Sequence, residues 1–222
     1  MVYFEKSQPA PACLIIEKGK ANGDYKTPET LRRLKSDFKN KCYICESKAP
    51  HTINVEHFVP HQGNQDLKFD WNNLFWSCGH CNNTKLAIHN NLLNCTDIDD
   101  NVEEAIHYYI NPFPKEKVKL EVLRPSDKAN NTKDLLLAVY NGTTELKTIE
   151  SFNIRTSLLK EIKIFQGLLF DYYETFDGVE EEKARCKSLI IAHLNSSSSF
   201  TAFKRWIIKD NPERTNDFGE YL

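Results

Sequence analysis

Residues 41–85 read KCYICESKAPHTINVEHFVPHQGNQDLKFDWNNLFWSCGHCNNTK. Two short cysteine pairs, Cys42-x-x-Cys45 and Cys78-x-x-Cys81, enclose this stretch, with 32 residues between them. At this cysteine content chance would supply about 0.2 such pairs, so two of them carry information. Each pair lets two thiolates converge on one ion, and two pairs complete a tetrahedral structural Zn²⁺ site with no open position. Four unrelated buried thiols are the bland alternative. A redox role for either pair lacks the βαβ surroundings it needs. Cys13, Cys95 and Cys186 have no partner at ligand spacing and read as ordinary thiols. His80 lies inside the second pair and is either a phosphate contact or a bystander, the second reading being preferred.

The chain of 222 residues is long enough for one good core or two small ones, and 40% hydrophobic content fits a folded protein. Seven cysteines is an odd number and argues against a full disulfide framework. No apolar run reaches membrane-spanning length, the longest being Leu135 to Tyr140, and no signal-peptide core opens the chain. These features predict a reducing cytoplasm and no membrane partner. The net charge of -2 advertises no global affinity for nucleic acid. Residues 18–48, however, hold nine Lys/Arg against four acids, directly before the first cysteine pair. That stretch is either a solvated face or part of a nucleic-acid surface.

Thr27-Pro28-Glu29 predicts a helix start, with a capping hydroxyl, proline at the first position and an acid in the first turn, running to about Phe38. The segment His51–Phe58 alternates as a strand, and Asn82 to Leu92 reads as a helix. Upstream, residues 1–27 form an expected irregular arm with a short strand around Cys13–Ile16, and the acidic residues 96–104 a linker or exposed helix start. Downstream, Leu135–Tyr140, Asn141-Gly142 and Thr143–Ile149 predict a β-hairpin. A long helix is expected after Asn153 with a stop at Gly178, then helices over Val179–Leu194 and Phe200–Lys209. The expected organisation is an arm over 1–27, a zinc-bearing domain over 28–112, and a hairpin plus helical region over 113–222 that either supports the motif or docks a partner.

Between the cysteine pairs stand Glu56-His57-Phe58-Val59-Pro60, then Trp71-Asn72-Asn73-Leu74, then Cys81-Asn82-Asn83-Thr84-Lys85. This ordered set resembles the HNH endonucleases, whose zinc-bearing members enclose an acid–histidine pair, an Asn-Leu and a terminal His or Asn between two such knuckles. The resemblance implies an α+β fold, a zinc-stabilised ββα-metal motif with a mainly helical C-terminal region. It further implies metal-dependent hydrolysis of phosphodiester bonds. His57 is then the general base, because a neutral imidazole near pH 7 can take a proton from water. Glu56 and Asn82 are expected as hard oxygen ligands for Mg²⁺ or Mn²⁺. Asn73 is expected to brace the loop that aims His57, and Lys85 to face phosphate. Glu56 departs from the more frequent Asp or His. An i, i+4 metal pair of His57 and His61 is set aside because Pro60 interrupts any helix there.

Outside this core, Pro9-Ala10-Pro11, Asp70-Trp71-Asn72-Asn73-Leu74, Ile110-Asn111-Pro112 and Thr148-Ile149-Glu150 are similar to the HNH branch of Septu and retron antiphage systems. That likeness implies an effector acting with an ABC/SMC-like ATPase of PtuA type, on DNA or structured RNA. The competing reading is a non-catalytic zinc module that binds nucleic acid or a partner protein.

Overall fold

The computed structural model describes residues 1–174 and 179–222. The chain is mixed α/β, about 53% helical, with two small sheets. In order the elements are α1 (Ala12–Lys18), α2 (Pro28–Asp37), β1 (Ile53–His57), α3 (Gln65–Phe69), β2 (Leu74–Cys78) and α4 (Gly79–Lys85). Then follow α5 (Val102–Ala105), β3 (Ile106–Tyr109), β4 (Lys119–Val122), α6 (Asp127–Asn141) and α7 (Glu145–Glu174). The chain closes with α8 (Glu180–Leu194), α9 (Thr201–Lys209) and α10 (Pro212–Phe218). No described helix is long and apolar enough to cross a membrane.

Helix α2 begins as its sequence dictates: the Thr27 hydroxyl accepts from the Thr30 amide, and Pro28 occupies the first turn where no amide donor is needed. Its buried Leu34 and the following Phe38 pack on β2. There Phe38, Tyr43, Phe58 and Phe75 bring their rings within 6.3 Å of a neighbour in a continuous aromatic cluster. Strands β1 and β2 are antiparallel, with Ile53 opposite Cys78 and His57 opposite Leu74, and β2 runs straight into α4.

Several local expectations are corrected. Cys13–Ile16 is helical, within α1, and buries only Leu14 while Ile15 and Ile16 face solvent. The helix expected over Asn82 to Leu92 starts earlier and stops at Lys85, where Leu86 turns to φ +42. The acidic stretch 96–104 does contain a helix start, the short α5.

The hairpin expected around Asn141-Gly142 is a helix–turn–helix. Gly142 sits at φ +77 just past α6, its amide returning to the Ala138 carbonyl, and any Cβ there would lie 2.7 Å from the Thr148 backbone. A helix C-terminus and a tight hairpin both require positive φ, so Asn-Gly serves either. What decides is burial: Leu135, Leu136, Val139 and Tyr140 recur at helical spacing and all enter the core. Helix α7 accordingly starts at Glu145, well before Asn153. The expected stop at Gly178 lies outside the described residues.

One buried cluster takes residues from Met1 through Cys42, Leu74 and Val139 to Phe203, crossing both expected boundaries at 27/28 and 112/113. The N-terminal arm belongs to this core. Met1, Val2 and Phe4 are buried, Lys6 donates to the carbonyls of Trp71 and Leu74, and the Trp71 indole donates to the Ser7 carbonyl. A smaller cluster of Phe165, Leu169, Cys186, Ile190 and Phe218 closes the helical end.

Candidate metal centre and adjoining cleft

Cys42 and Cys45 lie on the turn between α2 and β1, Cys78 ends β2, and Cys81 occupies the first turn of α4. All four are buried and free of disulfides, and their sulfurs lie within 4.8 Å of one another. A tetrahedral zinc with Zn–S bonds of about 2.3 Å needs its sulfurs about 3.8 Å apart, and Cys45 Sγ to Cys78 Sγ is 3.9 Å. The donor set therefore fits a metal such as zinc. Burial first, and then the hydrogen bonds from Cys42, Cys45 and Cys78, push the Cys81 thiol well up; a bound cation reverses that balance by taking the proton's place.

This cluster is tied to the second half of the chain from both sides. The Tyr140 hydroxyl donates to the Cys45 carbonyl at 2.9 Å, and the Phe200 amide to the Glu46 carbonyl at 3.2 Å. Lys41 and Glu46 form a buried pair at 3.3 Å, with Lys41 also reaching the Ser196 carbonyl and the Thr201 hydroxyl. Across the cluster, His80 has its Nε2 at 2.9 Å from the Val139 carbonyl and its Nδ1 at 2.7 Å from Glu150. His80 thus anchors α4 to α6 and α7.

His57 ends β1, half-buried, with its Nε2 3.0 Å from the Lys68 carbonyl. A carbonyl only accepts, so the ring hydrogen sits on Nε2 and Nδ1 carries the lone pair. The edge of Tyr25 and the ring of His61 flank the imidazole, with centroids 4.7 and 4.5 Å away. Burial lowers the His57 pKa from its ordinary 6.5; the Lys68 carbonyl opposes this, and the charges of His61, Lys26 and Lys68 add to it.

The loop that sets this geometry is clamped by Asn73. Its side-chain oxygen accepts from the Val59 amide at 2.7 Å, and its amide nitrogen donates to the carbonyls of Val59 and Leu67, both at 2.9 Å. Asn72, its neighbour, is exposed and accepts from Gln8. Leu67 immediately precedes Lys68, whose carbonyl orients His57, so one buried asparagine fixes both sides of the excursion.

Glu56 and Lys85 occupy positions that differ from the expected ones. Lys85 is fully buried, its ammonium 2.7 Å from Glu56 Oε1 and 3.2 Å from the His57 carbonyl, so it faces protein rather than phosphate. Glu56 is 6% exposed, and its second oxygen accepts from the Tyr43 hydroxyl at 2.9 Å. Both carboxylate oxygens are thereby engaged, and Glu56 is not presented as a free metal ligand. The pair instead bolts β1 to α4. Asn82, half-buried on α4, makes no side-chain hydrogen bond among the described residues and lines a cleft of about 380 Å³ with His57, His61, Tyr25, Lys26 and Glu56. No protein-family model and no curated protein matches this chain.

Burial pushes the Glu56 carboxyl up to about 7, against the pull of Lys85 and the Tyr43 hydrogen bond. A carboxyl raised in the fold holds its proton longer than in the unfolded chain. Its linkage therefore favours the fold below the ordinary 4.5, loses that advantage as pH rises to about 7, and is flat above. Lys85→Met is expected to lower stability by up to about 3–5 kcal/mol above pH 7, where Glu56 is ionised in the wild type, and by less at pH 5, because it removes the cation that lets this buried carboxyl ionise. The further change Glu56→Gln is expected to restore most of the loss. Denaturant midpoints of the single and double variants at pH 5 and pH 8 check this, and a larger loss at pH 5 would contradict it.

Sequence reasoning missed Tyr25, Lys26 and His61 as neighbours of His57. The basic run 18–48 carried the signal for Lys26, which is exposed at the cleft mouth, whereas Lys41 of the same run is buried. His61 meets His57 through the turn at Pro60 rather than along a helix.

Proposed function

We propose that the chain is a metal-dependent nuclease of the HNH type that hydrolyses phosphodiester bonds, with His57 as general base. The observation that carries this reading is the setting of His57: its Nε2 lies 3.0 Å from the Lys68 carbonyl, which leaves Nδ1 as the ring's lone-pair nitrogen, and its side chain lines a cleft shared with Asn82. Such a base takes a proton from water as the water attacks phosphorus and the bond from phosphorus to the leaving sugar oxygen breaks, that oxygen taking its proton from solvent. Asn73 holds the loop that aims it, and the buried Glu56–Lys85 pair fixes the backbone beneath it. Lys26, not Lys85, is the cation placed to attract a phosphate.

Asn82 would offer an uncommitted hard oxygen to Mg²⁺ or Mn²⁺. When bound, the ion supplies Lewis-acid relief of charge on the phosphate. The tetracysteine cluster holds zinc and shapes the strand–strand–helix unit. The broader likeness extends the proposal to an effector of antiphage defence that works beside an ABC/SMC-like ATPase.

The test is incubation of the purified chain with DNA and RNA panels in Mg²⁺ or Mn²⁺, with and without a co-expressed ATPase of that class. Metal-dependent cleavage that His57→Ala removes supports the reading. Nucleic-acid binding that is unaffected by His57→Ala and Asn82→Ala, without cleavage, returns the chain to a non-catalytic zinc module.

A further inference from the structure

Helix α7 spans 30 residues, about 45 Å at 1.5 Å per residue. One stripe, including Leu158, Ile162, Phe165 and Leu169, is buried. Roughly 120° around the helix, positions 149, 152, 156, 159, 163, 166 and 170 recur in alternating steps of three and four, the spacing by which one helix receives another. Ile149 is 58% exposed, Phe152 45% and Phe170 65%. Beside this stripe the loop at Pro112 raises Phe113, 64% exposed, as a second wall. Between them lies a groove of about 560 Å³ with Phe113, Phe152 and Leu159 on its walls and Lys115, Lys160 and Lys163 around them. No acidic residue lines it, and among the described residues none of these lysines has an ion-pair partner.

We propose that this groove receives an amphipathic helix of another protein, apolar along one stripe and acidic where it passes Lys160 and Lys163. Charge selects this occupant. A second copy laid antiparallel along the same stripe would bring Lys160 and Lys163 of both chains to the two-fold axis, and a parallel copy would oppose each lysine with itself. Like charges so placed in an apolar contact disfavour both arrangements, whereas carboxylates relieve them. Shape selects against a flat anionic surface, because the apolar floor is recessed between Phe113 and Phe152 and fits a ridge of side chains. The proposal is independent of the nuclease reading.

Two synthetic helical peptides with identical apolar positions test it, one carrying glutamate and the other lysine at the central positions, titrated against the full chain by fluorescence anisotropy. The glutamate peptide is expected to bind, more weakly as salt rises, and the lysine peptide at least about tenfold more weakly. Phe113→Ala with Phe152→Ala is expected to abolish binding. Lys160→Glu with Lys163→Glu, surface changes that leave the melting curve in place, is expected to reverse the preference. Equal binding of both peptides, binding of neither, or a preference unmoved by the charge reversal overturns the proposal. So does a wild-type dimer in sedimentation that Phe152→Ala dissolves, which would assign the face to a second copy. Adsorption to phosphatidylserine vesicles without peptide binding would assign it to a membrane and equally overturn it.

Discussion

Replacing Cys42 or Cys81 with serine is expected to leave the chain unfolded and free of bound zinc. The four sulfurs are fully enclosed and spaced for one tetrahedral ion, so each lost thiolate leaves a buried, incomplete ligand set. Structural zinc contributes on the order of 10–16 kcal/mol in small sites, while a typical domain is stable by only about 5–15 kcal/mol in total. The loss therefore exceeds what packing elsewhere can supply. Its reach is global, because Tyr140 and Phe200 bond to the backbone between Cys45 and Glu46, and His80 bonds to Val139 on the other side. Elemental analysis and circular dichroism measure the outcome, with about one zinc per wild-type chain expected. Serine variants that melt within a few degrees of wild type would show that the cluster is not a metal site.

The second large effect is catalytic. His57→Ala is expected to lower the cleavage rate by about 10²–10⁴-fold while leaving zinc content and the melting temperature near wild type, since the ring is only half-buried. Asn73→Ala is expected to lower both rate and stability, because three backbone groups at Val59 and Leu67 lose their partner at once. The pH profile separates a base from a merely structural ring. His57 is held below its ordinary 6.5 chiefly by burial, so it stays neutral at pH 7, and activity is lost only as pH falls through that lowered value. An acid limb that survives unchanged in His57→Ala would remove His57 from the chemistry.

The parts of this molecule that are local were legible from sequence. The Thr27 cap with Pro28, the alternation that makes β1, and the paired cysteines each place their physical cause within a few residues. The parts that are long-range were not. Lys85 resembles a surface lysine until Glu56, 29 positions away, is brought to it by the β1–β2 register. Asn141-Gly142 satisfies a hairpin and a helix end equally, and only burial of Leu136 and Tyr140 decides. The expected arm over residues 1–27 contained Met1, Val2 and Phe4, whose core partners lie far along the chain. The boundary expected at residue 112 similarly rested on a change of pattern, while the core rests on contacts.

The ties from Tyr140 and Phe200 back to the Cys45–Glu46 turn also set a timetable for biosynthesis. Residues 42–85 leave the ribosome roughly 120 residues before Phe203, the last buried residue of their core. At about 5–20 residues per second, the newborn cysteine segment waits roughly 6–24 s for the helices that complete its shell. During that interval its thiols are open to metal and to oxidants alike, and adding zinc during expression is expected to raise the yield of folded chain.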